Sequence, residues 1–305
     1  MKIALASSSE VSLPVLDFLY ENKKFNLEVV ITNPDKATGR GQSIVENAVS
    51  SWCRGKNVIL IKPADSSHLL QIISENQIDL LITVGYGHIL KNDVINKPRY
   101  GAINLHYSLL PKYRGAAPVQ RAILNGEEIT GVSVFKLDAG MDSGPIYLQK
   151  EIKIDSNEKT RELLVRLNLV GVELIDRTLE LISQGSKPIA QLNSNVSFAP
   201  KFNKEDGAID WHRSADEIFN QYRAIGENPG VFTKFLDNKL KISHMERALT
   251  KSLSPGVFSL IDQSLIVGTA SFDLLIHKVI PDGRKEMTGK EFFNGLQDKG
   301  NLTFA

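Results

Sequence analysis

The 305-residue chain has a single cysteine, Cys53, only two tryptophans, and no apolar run of bilayer length. One cysteine excludes an internal disulfide and a cysteine-rich metal site, and it fits a reducing compartment. Cys53 itself reads as packing. After Lys2 the apolar start Ile3–Ala6 gives way to serines within four residues, too short for a signal-peptide core. The expectation is a soluble, cytoplasmic protein with no membrane partner. Net charge is scarce too: 36 Lys and Arg against 35 Asp and Glu leave +1, so any surface for nucleic acid must be local. Ser7–Glu10, after the first apolar run, lacks the glycines of GxGxxG, and no GxxxxGK[ST] or HExxH occurs. Dinucleotide, P-loop and zincin chemistry lose their signatures with them, and no metal is expected.

What is present is organised. With 42% hydrophobic residues, a chain of this length can bury a substantial core and form two domains. Short β-branched runs at 2–6, 27–32, 57–61 and 78–84 alternate with helical periodicity at 11–21 and 66–75. That alternation predicts an α/β domain built on a mostly parallel, doubly wound (Rossmann-like) sheet with helices on both faces. A long pattern from Asn157 to Gln184, carrying Leu163, Leu164, Leu167, Leu169, Val172 and Leu179, predicts a closing amphipathic helix ended by Gly185. Apolar periodicity fails between Gln191 and Gly207. The expected division is a first domain over 1–189, a linker over 190–207 and a second domain over 208–305. In the latter, short strands within 230–235, 239–245, 256–260, 264–269 and 272–280, flanked by helical patterns at 214–224 and 289–296, predict a small antiparallel barrel or sheet.

The segment NLHYSLLPKYRG, Asn104–Gly115, places a carboxamide and an imidazole two residues apart at the end of an apolar run. In a strand, i and i+2 share a face, so Asn104 and His106 point together while Leu105 enters the core. Such a pair at a carboxyl edge sits where α/β sheets bind ligands. Taken alone, an Asn and a His near a strand end are more often a hydrogen-bonded pair that tidies a loop. A second motif, LDAGMDSGPI, Leu137–Ile146, holds Asp142 on a short loop between Gly140 and Gly144. An ordinary turn aspartate looks the same. Brought together, however, Asn104 can donate to a developing oxyanion, His106 can donate or carry a proton, and Asp142 can favour the charged imidazole and order a water. That set suits acyl transfer.

These motifs carry a resemblance. Asn104–His106, the run SLLPKYRGAAP at Ser108–Pro118 and the loop Gly140–Pro145 resemble the signatures of the folate-dependent formyltransferases. The resemblance implies catalytic roles for Asn104, His106 and Asp142, with protonated His106 and Asn104 facing the oxyanion. It implies 10-formyltetrahydrofolate as formyl donor, bound by Gly85, Tyr86, Gly87, His88, Ile89 and Leu90 together with Ser108, Leu109, Leu110 and Pro111. The Gly85–Gly87 turn suits a flat pterin because it exposes backbone donors and acceptors, and it could equally be structural. His88 falls outside the matched triad.

The implied acceptor is the α-amino group of methionyl initiator tRNA. Asn33–Gln42 reads as a mobile loop whose Lys36 and Arg40 could meet phosphates; without the resemblance it is an ordinary charged surface loop. Phe198–Trp211 resembles the family's interdomain segment, which implies an OB-like second domain. Lys201, Lys204, Lys239, Lys241 and Lys251 could line a phosphate-contacting face, although Glu205 and Asp237 make a plain solvated face as good a reading. Two runs depart from the family pattern: SSSEVS at Ser7–Ser12, and ENPGVF at Glu227–Phe232, which lacks a Trp before Pro-Gly. The alternatives are a formyltransferase acting on an amino-sugar nucleotide or other small amine, and a non-catalytic RNA-binding module. A monomer is expected.

Overall fold

The computed structural model describes residues 1–38, 43–236, 238–297 and 302–305, the backbone alone at 36–38 and 43–44. The chain forms two compact units that interleave in sequence: 1–118, 129–153 and 161–200 make the first, and 119–128, 154–160 and 201–305 the second. Among the described residues no helix is long and apolar enough to cross a membrane.

In chain order the first unit carries β1 (Lys2–Ala6), α1 (Leu13–Glu21), β2 (Asn26–Ile31), β3 (Lys36–Thr38), β4 (Ser43–Val45), α2 (Ala48–Lys56), β5 (Leu60–Ile61), α3 (Ser66–Glu75), β6 (Leu80–Thr83), α4 (Asn92–Asn96) and β7 (Ala102–His106). α5 (Pro118–Leu124) falls almost wholly in the second unit, and β8 (Ile129–Lys136), β9 (Ile146–Lys153) and α6 (Thr160–Ser183) complete the first. The seven-stranded sheet runs β5-β2-β1-β6-β7-β8-β9. Its first five strands are parallel, and β8 and β9 add antiparallel. The chain builds outward from β1 to β5, then returns to lay β6 on the other side of β1, which puts the topological switch between β1 and β6.

The strands are apolar on both faces because helices cover both. Ala4, Ala6, Leu81 and Ala102 join Leu69, Ile72 and Ile73 of α3 and Val94 and Ile95 of α4 in one core. Thr83, Asn104 and His106 continue this face by the two-residue period, while Leu105, 2% exposed, turns to the other side. There Gly171 of α6 makes room for it: a Cβ at 171 would come within 2.8 Å of Leu105 Cδ2. The buried stripe of α6 is Leu163, Leu167, Gly171, Leu174, Ile175, Thr178, Leu179 and Ile182. Leu169, expected on the closing face, is 69% exposed; two residues on from Leu167, it lies roughly 200° around the helix.

In the second unit α7 (Ala215–Ile225) precedes β10 (Val231–Phe235), β11 (Asn238–Arg247), β12 (Phe258–Ile261), β13 (Ser264–Val267), β14 (Leu274–Pro281), β15 (Met287–Thr288) and α8 (Gly289–Asn294). The antiparallel order is β10-β11-β14-β13-β12, with β15 on β14. Residues 302–305 bridge its edges: Phe258 N donates to Leu302 O, while Lys234 and Ala305 exchange backbone bonds at 3.2 and 3.0 Å. The sheet thereby closes as a barrel does, satisfying edge groups that an open sheet would leave unpaired. Residues 154–160 belong here for a hydrogen-bonding reason: buried Arg223 donates to the carbonyls of Asp155 and Glu158, and Thr160 Oγ1 to that of Ala224.

Two expectations about connecting segments are corrected. Within Asn33–Gln42, expected as a loop, residues 36–38 form a strand, since β3 and β4 pair antiparallel from Lys36↔Val45 to Thr38↔Ser43, while 39–42 lie outside the described residues. The stretch from 190 to Pro200 is not a free linker but belongs to the first unit. Its backbone pairs with the chain after β7: Arg114 N donates to Ser197 O, Ala199 N to Arg114 O and Ala117 N to Ala199 O, at 2.7 to 3.0 Å.

Candidate active site

Asn104 sits opposite Thr83 in the β6–β7 ladder. The Thr83 hydroxyl donates to Asn104 Oδ1 at 2.8 Å. With its oxygen so engaged, the amide presents Nδ2 as a donor, and no described residue accepts from it. Two residues on, His106 is 5% exposed, with the edge of its ring set toward that of Phe135. Its Nε2 lies 2.9 Å from the carbonyl oxygen of Tyr113, which can only accept, so that nitrogen carries a proton. Nδ1 then faces Asp142 Oδ2 at 3.6 Å.

Asp142 is held from several directions. Its Oδ2 accepts the Gly115 N–H at 2.7 Å, and its carbonyl accepts Gln191 Nε2 at 2.8 Å. The loop permits little else: a Cβ at Gly144 would fall 1.8 Å from the Lys136 carbonyl, and Asp142 itself takes φ +48°. Asp138 ties the other side of the loop, accepting Gly140 N–H at 3.0 Å and Ser143 Oγ at 2.9 Å. The structure therefore brings Asn104, His106 and Asp142 to one carboxyl edge: the two-residue spacing implied the first pair, and the family resemblance implied Asp142 beside them.

The resting charge of His106 follows from its surroundings. Burial pushes its pKa below the ordinary 6.5, against the upward pull of Asp142 and of the Tyr113 carbonyl, so the resting imidazole is neutral rather than protonated. A neutral ring with Nε2–H directs a lone pair from Nδ1 toward a carboxylate. Two acceptors facing each other at 3.6 Å form a ready receptor for one proton.

The segment after β6 is built differently. Gly85 and Gly87 adopt φ +56° and +77°, the left-handed region. Tyr86 turns its ring into the core and is 7% exposed, while its carbonyl accepts Asn33 Nδ2 at 3.0 Å and Ser8 Oγ at 3.3 Å. His88 and Ile89 project outward, Ile89 at 88% exposure, and Leu90 packs partly on the core. Of the expected contacts, Ser108 and Leu110 are both buried, with polar groups paired internally. Ser108 Oγ donates to Lys112 O, Ser108 O accepts Ser133 Oγ, Leu110 N donates to Ser133 Oγ and Leu110 O accepts Gln149 Nε2. Leu109 and Pro111 remain half-buried.

Arg40 lies outside the described residues, as do the side chain of Lys36 and Asp237. Of the second-unit lysines, Lys251 is engaged with the Ala270 carbonyl and Lys239 stands 3.6 Å over the Phe232 ring, while Lys201 and Lys204 are exposed. Sequence reasoning missed Thr83, Ser133, Gln149, Gln191 and Ser197, whose partners lie 16 to 84 residues away. Only for Thr83 was there a usable signal: a hydroxyl within an otherwise apolar buried strand wants a partner.

A free amide donor beside a proton acceptor at a sheet's carboxyl edge defines a site for acyl transfer. Residues 1–179 match the formyl transferase family and 201–297 the formyl transferase C-terminal domain, and the chain belongs to this family. Among its relatives is a methionyl-tRNA formyltransferase of Thermodesulfovibrio yellowstonii, 36% identical over 296 residues and covering 96% of this chain and 95% of that one. Another methionyl-tRNA formyltransferase, from Koribacter versatilis, is 37% identical over 277 residues, 89% and 88% of the two chains. An N-formyltransferase from Helicobacter canadensis, solved with folinic acid and dTDP-3-aminofucose, superposes with TM-score 0.67 at 20% identity over 90% of this chain and 98% of that one. HypX from Aquifex aeolicus, in complex with tetrahydrofolic acid, gives 0.65 at 16% identity over 96% and 47%. At these identities the two structures speak for the fold.

Proposed function

We propose that this chain transfers the formyl group of 10-formyltetrahydrofolate to the α-amino group of methionyl initiator tRNA. The observation that carries the reading is the Asn104 amide, whose oxygen is held by Thr83 and whose Nδ2 is left to donate beside the His106–Asp142 pair. As an amine attacks a formyl carbon, the carbonyl oxygen gains negative charge, and Asn104 Nδ2 donates to it. The amine must lose a proton as the new C–N bond forms; His106 Nδ1 accepts it, and Asp142 stabilises the resulting imidazolium. The same proton is then available to the folate N10 as its bond to the formyl carbon breaks.

The residues present fit such a donor. Gly85 and Gly87 leave main chain exposed, and Ile89, Leu90, Leu109 and Pro111 supply apolar surface near the strand ends for a flat ring. The names of the full-length relatives support the tRNA acceptor, with Lys36 and Arg40 assigned to the RNA. The near-neutral net charge limits that contact to a local surface. Incubation of the protein with 10-formyltetrahydrofolate and either charged initiator tRNA or an amino-sugar nucleotide tests the reading. Formyl-methionyl-tRNA is the expected product; product on the sugar alone overturns the acceptor, and product on neither overturns the transfer.

A further inference from the structure

Gln191 falls in the stretch that sequence marks as a connector, yet it is the most heavily used side chain around the Asp142 loop. Its Nε2 donates to the carbonyls of Asp142 and Gly144, both at 2.8 Å, and its Oε1 accepts from Arg114 Nε at 3.2 Å and Nη2 at 2.6 Å. Arg114 lies between Tyr113, whose carbonyl holds His106 Nε2, and Gly115, whose N–H holds Asp142 Oδ2. One amide thus joins the backbone that carries the carboxylate to the backbone that grips both members of the pair.

We propose that Gln191 is a positioning residue for proton transfer: by tying the Asp142 loop to Arg114 it holds the Asp142 carboxylate against His106. The inference deepens the formyl-transfer reading and rests on it for its kinetic arm. Gln191 is half-buried and outside the apolar core, so its work is directional rather than volumetric. Three features surround the imidazole: the Phe135 ring from β8, the Tyr113 carbonyl and the Asp142 carboxylate, and among the described residues Asp142 is the charged group that acts on it. Asp142 favours the protonated ring against the effect of burial. If the carboxylate drifts, that support is lost and His106 becomes harder to protonate.

The test compares Q191A, Q191E and the double variant R114A/Q191A with the wild type. For Q191A the expected result is a kcat lower by on the order of tenfold to a hundredfold, as small misplacements produce, with KM for donor and acceptor nearly unchanged. Q191E is expected to fall further, because a carboxylate opposite the Asp142 and Gly144 carbonyls turns two hydrogen bonds into repulsions. Adding R114A to Q191A should cost little more, since the two act through one contact. The decisive readout is the His106 titration followed by NMR without substrates, whose midpoint should move to lower pH in Q191A. A structural role alone would reduce the folded fraction and leave that midpoint in place. Wild-type kcat in Q191A, or reduced kcat with an unmoved midpoint, overturns the proposal. Because the NMR measurement needs no substrate, failure of the formyl-transfer reading would show separately, as absent turnover by the wild type.

Discussion

Two neighbouring stretches at the sheet's carboxyl edge differ in how they are held. Around Asn104, His106 and Asp142 nearly every polar group is committed to a partner from a distant segment, leaving Asn104 Nδ2 and His106 Nδ1 turned to chemistry. In Gly85–Leu90 the backbone is anchored by Ser8 and Asn33, yet His88 and Ile89 stand in solvent. The difference separates labour. A cross-tied cluster can hold reacting atoms to a fraction of an ångström, whereas an open turn offers surface to a ring. Changes in the first should therefore appear in kcat and changes in the second in KM.

The largest effect is expected for D142N. Asparagine tolerates the left-handed backbone at 142 and can still accept from Gly115 N–H, but it carries no charge to support an imidazolium. kcat should fall by roughly 10²-fold or more, the lower bound for lost acid–base assistance, with donor KM little changed in steady-state assays. A weaker effect, about tenfold, is expected for T83V, which keeps the shape but lets the Asn104 amide rotate; a lost neutral hydrogen bond is worth up to about 1.5 kcal/mol. T83S should restore the rate. In the open turn, I89A should raise the KM for the folate roughly tenfold at unchanged kcat, the loss expected for about 1.5 kcal/mol of apolar contact. A fall in kcat instead would break the division.

The smallest effect is on stability. Folding lowers the His106 pKa below the ordinary 6.5, so the unfolded chain binds more protons in that window. Stability contributed by the neutral imidazole is complete above about pH 6.5 and is lost as pH falls toward the folded value. H106Q should flatten this part of a denaturation-versus-pH curve, read by circular dichroism, while other groups keep their slopes.

How much of this was legible follows from where each partner lies. α3 runs from Ser66 to Glu75 as its periodicity implied, because the signals are local: three buried apolar positions and an Asp65 side chain that caps the His68 N–H. β7 was legible for the same reason, and with it the shared face of Asn104 and His106. Leu169 misled because a leucine count does not register the angle around a helix. The 190–200 stretch was misread because its order comes from Gln191, Ser197 and Ala199 bonding to residues 47 to 86 positions earlier, which no local pattern carries. The protonation of His106 was hidden likewise: the family resemblance implies Asp142 beside it, but only the packed structure shows that burial outweighs it.

The most direct measurement is single-turnover formyl transfer by N104A at saturating donor and charged tRNA, with donor affinity measured in parallel. The account predicts a rate lower by roughly 10² to 10³-fold, about 2.7 to 4 kcal/mol, the cost of one oxyanion donor, with folate binding unaltered. A rate within a few-fold of wild type would contradict it.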